Sequence, residues 1–96
     1  MKQEFIEKME AQLKNYGIEI DELKKKAAEA GDDLRARLED IIKDLMQRRE
    51  MVVNKLQELK RTGDEAWVDL QVHVENAGEN LRSALESALA KIKKGD

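Results

Sequence analysis

From Ile6 to Ile92 an apolar residue recurs at almost every third or fourth position, and no proline interrupts the series. Over the first third of the chain it runs Ile6, Met9, Leu13, Tyr16, Ile20, Leu23, Ala27 and Ala30. Steps of three and four place these side chains in one stripe along an α-helix and leave the charges outside it. A stripe of this kind needs another helix to cover it, because an isolated helix draws most of its stability from packing. The chain is therefore read as all-α, with a partner-seeking seam along its length.

Composition narrows the function classes. A chain of 96 residues is read as a single helical coiled-coil domain over 1–96, with 41% charged residues and a net charge of -3. Its longest uninterrupted apolar runs are three residues, such as Met51–Val53, too short for a transmembrane helix or the core of a secretory signal. A cytoplasmic location is expected. The absence of cysteine excludes disulfides, thiolate catalysis and cysteine-ligated zinc. A pI near 5.3 and only three aromatic residues argue against nucleic acid, which calls for a basic patch and bases to stack upon.

Two breaks are candidates. Around Arg61–Glu65, Gly63 could end one helix in the left-handed conformation while Thr62 or Asp64 caps the next, and Thr62 with Glu65 has capping-box spacing. A turn is expected at 62–64. Near Gly31, the lysines at 24–26 precede and Asp32 and Asp33 follow, the charge order of a helix end and a helix start. The same glycine inside an unbroken helix would cost about 1 kcal/mol relative to alanine. Gly95, after Lys91, Lys93 and Lys94, is expected to end the last helix.

Charge suggests which segments pair. Residues 43–61 carry six bases and three acids, and residues 64–86 carry six acids and one arginine. A reversal at Gly63 sets these stretches side by side and returns Lys91–Lys94 toward Asp32 and Asp33. Each exposed pair is worth only a few tenths of a kcal/mol, so charge selects direction while the seam supplies stability.

The stripe then broadens. Leu34, Leu38, Ile41, Ile42, Leu45, Met46, Val52, Val53, Leu56 and Leu59 include adjacent pairs, enough to touch more than one helix. Trp67, Leu70, Val74, Ala77, Leu81, Leu85, Ala88, Leu89 and Ile92 continue the step, with Val68 and Val72 set to another side. The seam passes Gly31 in phase through Ala27, Ala30, Leu34, Leu38 and Ile41, with one stutter of two consecutive fours. The expected fold is an antiparallel coiled-coil hairpin: a long helix over about 2–61, a turn at 62–64 and a second helix over about 64–94. Such a first helix, roughly 90 Å long, cannot bury its own first half, so two copies are expected to pair as a homodimer in an elongated four-helix assembly. The alternative is a monomeric three-helix bundle with a turn at Gly31, related to the dimer by a swap about residues 28–33.

The runs IEKMEAQLK at Ile6–Lys14, IDELKKKA at Ile20–Ala27 and KLQELKRTGDEAWVDLQ at Lys55–Gln71 resemble a family of small bacterial all-helical coiled-coil proteins associated with stress response. The most specific piece is TGDEAWVDL, Thr62–Leu70. The resemblance implies a long first helix and a stress-protective role, and it transfers no catalytic residues. Gly31–Asp32–Asp33 departs from that family's middle, which is charged, alanine-rich and free of helix breakers.

Little in the chain points to chemistry. His73, the only histidine, shares a helical face with Asp69 and Glu65 and could hold a metal ion weakly, but reads more simply as a polar residue flanking Leu70, Val74 and Ala77. Ser83 and Ser87 have no histidine base within a turn or two. No catalytic, metal or cofactor residue is assigned, and no enzyme activity is expected. Trp67 reads as a core plug, Met9, Met46 and Met51 as gap-fillers, and Lys24–Lys26 as a solvated face. Arg48 and Arg49 interrupt the seam, where their stems can pack while their heads reach acids of a neighbouring helix. The expected function is that of a non-enzymatic structural or interaction protein that self-associates. Reversible binding of the amphipathic helices to a lipid surface is the alternative, weakened by charges of both signs all around.

Overall fold

The computed structural model describes the backbone of residues 1–63 and 65–95, and the side chains of 1–63 and 65–92. Three helices account for nearly all of it: α1 (Lys2–Glu29), α2 (Asp32–Arg61) and α3 (Trp67–Gly95). They run up, down and up. Arg49 of α2 reaches the Leu13 carbonyl of α1, and Arg48 of α2 reaches Asn80 of α3, as antiparallel neighbours require. The Cα trace measures 51 × 17 × 16 Å.

The expected continuous helix over 2–61 is broken. Ala30 leaves the helical region at φ -82°, ψ 159°, and Gly31 follows at φ -68°, ψ 169°, so the chain folds back at the turn foreseen in the three-helix alternative. The physical reason lies in coverage of the stripe. Folding back buries Ile6, Met9, Leu13, Ile20, Leu23 and Ala27 within one chain, and each large side chain among them contributes about 1.5–3 kcal/mol. The break forfeits a few helical hydrogen bonds, partly replaced by Arg35. Its Nε donates to the Ala27 carbonyl at 3.2 Å and its Nη2 donates to the carbonyls of Ala28 and Ala30 at 3.3 and 3.2 Å. Asp32 and Asp33 in the first turn of α2, and Lys60 and Arg61 in its last, suit the helix dipole.

The second turn differs in detail from the expectation. Thr62 and Gly63 leave α2, Asp64 lies outside the described residues, and α3 starts at Trp67 rather than near 64 and runs through Gly95. The Thr62 hydroxyl donates backward to the Glu58 carbonyl at 2.7 Å instead of capping α3. No described residue, glycine included, has positive φ, so Gly63 does not use the left-handed conformation. Extended geometry at Thr62, φ -84° and ψ 142°, ends the helix without it.

The core is the stripe folded onto itself. Leu38, Ile42, Leu45, Val52, Leu56 and Leu59 from α2 meet Val74, Leu81, Leu85, Ala88 and Ile92 from α3 and the buried set of α1. The wider face expected of α2 is only partly used. Ile41 and Val53 are half-buried, while Leu34, Met46 and Met51 are exposed, because three helices enclose a narrower arc than every apolar residue of α2 spans. Among the described residues no helix is long and apolar enough to cross a membrane.

Candidate interaction surface

The side of α1 and α2 turned away from α3 carries a continuous groove. At one end it is bordered by Glu10, Lys14, Gln57 and Lys60, in the middle by Gly17, Asp21 and Arg49, and toward the turn by Lys24, Ala28, Arg35, Lys43 and Met46. The turn end is the roomiest, about 680 Å³. The buried side chains of Leu13, Ile20, Ala27, Ile42 and Leu56 contribute to its floor. Ile18 and Met46, 50% and 48% exposed, stand on its walls.

The groove is narrowest, about 300 Å³, where Arg49 crosses it. In α2, Arg49 occupies the seam step between Leu45 and Val52. Opposite it, α1 presents Gly17, with Arg49 Nε 3.5 Å from where a Cβ would stand, an ordinary contact distance. Arg49 donates that Nε–H to the Leu13 carbonyl at 3.3 Å. This corrects the expectation that its head finds an acid. Arg48 likewise turns to Asp44 of its own helix, at 2.8 Å, and to the Asn80 side chain of α3. The i,i+4 carboxylate lies closer at hand than any acid across the seam.

Charge pairing between helices is sparse. Lys60–Glu10, 3.1 Å, joins α2 to α1 and is the one ion pair linking two helices among the described residues. Among the described residues the expected pairing of the bases of 43–61 with the acids of 64–86 does not form, and Arg82 instead holds Glu79 and Glu86 within α3 at 3.6 and 3.2 Å. Its hydrogen bond to Glu86 holds the Arg82 guanidinium above its ordinary pKa. Lys91 likewise forms no ion pair with Asp32 or Asp33, and the side chains of Lys93 and Lys94 lie outside the described residues.

The remaining candidates fall into place around the bundle. His73, Asp69 and Glu65 are exposed, and His73 borders a second depression with Lys55, Asn76 and Asn80. Among the described residues no three histidine or carboxylate groups converge to hold a metal ion. Ser83 and Ser87 are exposed. Trp67 is half-buried against the core at the start of α3, less enclosed than a plug. Met9 fills space inside, its Cε 3.0 Å from where a Cβ on Gly78 would stand, whereas Met46 and Met51 face outward. Tyr16 lines a groove between α1 and α3, where burial pushes its phenol above its ordinary value of 10.0 and the nearby Arg82 guanidinium pulls it partly back. The Arg49–Gly17 pairing escaped sequence reasoning. Its one signal was the seam interruption at Arg49, since the α1 stripe runs unbroken past Gly17. The chain matches no protein-family model, no curated protein and no solved structure.

Proposed function

We propose that this chain is a non-enzymatic interaction protein that self-associates through its helices. The observation that carries the reading is the α1/α2 groove, with apolar walls at Ile18 and Met46 over a floor of core side chains. At its turn end the groove is mostly apolar and rimmed by Lys24, Lys43 and Glu50, the ordinary mark of a helix-docking face. The resemblance noted above adds a stress-protective role to this reading.

Sedimentation equilibrium from micromolar to millimolar concentration tests it. The expected result is a mass rising from 11.0 kDa toward twice that value. A mass fixed at the monomer throughout would remove self-association from the account.

A further inference from the structure

We infer that self-association proceeds by exchange of α1, with the Ala30–Gly31 turn as hinge and a second copy of this chain as the partner that receives the helix. The inference rests on the self-association reading but seats the second copy on the α2/α3 face rather than in the α1/α2 groove, which recurs between the two chains. In the exchanged dimer the α1 stripe of one copy lies on α2 and α3 of the other, where its own α1 would otherwise pack.

Four observations lead there. The turn is two residues long, and neither Ala30 nor Gly31 adopts a conformation that a helix-forming residue would resist leaving. A Cβ at Gly31 would meet nothing within 4 Å, so at the turn only Ala30, half-buried against the core, is held by packing. Ala27, Ala30, Leu34 and Leu38 keep helical steps across the turn, so straightening it yields one helix with its stripe still facing one way. Finally, the closed turn is held by a single exposed side chain: α2 has no side-chain cap at Gly31, and apart from the Ala30 N–H on the Ala27 carbonyl the carbonyls ending α1 are met by Arg35. An unbroken helix pairs those carbonyls with the first amides of α2.

Exchange therefore preserves every buried contact of α1 and changes only the hinge. This is the ordinary low-cost route by which identical chains form dimers. It also brings the two hinges together at the dimer axis, where Leu34, 37% exposed in the closed chain, gains cover from its symmetry mate.

Two substitutions act on the hinge in opposite directions. Gly31→Ala fits the closed turn and favours the helix, so across two hinges it should tighten the dimer about tenfold or more. Asp32→Pro also fits the closed form, because proline is tolerated at the first helical position and Gly31 already holds the extended geometry that proline demands before it. Inside a continuous helix the same proline clashes, so dimer should fall by more than tenfold. Each protein is refolded from urea at equal concentration before its mass is measured.

A native reporter then identifies the route. Carbodiimide condenses the Glu10 carboxylate with the Lys60 amine, 3.1 Å away, with loss of water. In an exchanged dimer this link joins two chains and survives denaturing electrophoresis, with the Glu10–Lys60 peptide recovered from the dimer band. A dimer in which that peptide comes only from the monomer band overturns exchange and leaves self-association standing. Particles of 11.0 kDa for both the wild type and Gly31→Ala at every concentration overturn both.

Discussion

Along α2 the ends and the middle are built differently. Leu38, Ile42 and Leu45 toward one end, and Val52, Leu56 and Leu59 toward the other, are buried, while the step between them belongs to half-buried Arg49 facing Gly17. Aliphatic ends supply most of the burial energy, but a uniform seam lets helices slide past one another by a repeat. A single polar residue with a fixed acceptor, Arg49 on the Leu13 carbonyl, names one level at which α1 and α2 can meet. The ends stabilise the bundle, and the middle aligns it.

The contrast breaks first if the ends prove unimportant. Leu81→Ala or Leu59→Ala, each removing a side chain with no exposed surface, should lower unfolding free energy by about 2–5 kcal/mol in urea titrations. An unchanged midpoint would take these residues out of the core. The middle should respond in the opposite sense. Arg49→Leu replaces a half-buried charge with an aliphatic group and should raise stability by about 1 kcal/mol, while amide spectra broaden as register loosens. A lower midpoint with sharp spectra would make Arg49 a stabilising residue rather than an aligning one.

Smaller effects sharpen the picture. Gly17→Ala places a Cβ 3.5 Å from Arg49 Nε, an ordinary contact, so it should gain about 1 kcal/mol from helix preference. Gly78→Ala sits 3.0 Å from Met9 Cε and should fall short of that gain, as parallel thermal melts would reveal. The smallest effect is alkaline. Folding raises the Tyr16 pKa above 10.0, so the neutral phenol is favoured in the native state. Its contribution is complete below that pH and is lost as pH rises through the folded value. Tyr16→Phe should flatten stability against pH in that range, and an unchanged slope would place the titration elsewhere.

Helical class and the identity of most core residues were legible because a period of three and four is a local property. The break at Gly31 was legible only as one of two readings, because the phase through Ala27, Ala30 and Leu34 is the same whether the helix continues or folds back. Which occurs depends on what covers α1, a matter settled between segments distant in the chain. The same limit hid the candidate surface. Arg49 was visible as an interruption, but its acceptor, the Leu13 carbonyl, comes alongside only after the fold-back. Met46 and Met51 look like core residues by type, and only the count of enclosing helices turns them outward. Alternating stretches of charge suggested pairing between α2 and α3, yet side chains within one helix reached each other first.

α2 touches both neighbours along its length, and α1 and α3 touch each other far less. Each pairing joins elements consecutive in the chain, so either hairpin closes a short loop and can form before the other. Assembly then has two entrances of similar height. A chain with α3 docked and α1 loose would present the bare α2/α3 seat that the exchange proposed above requires.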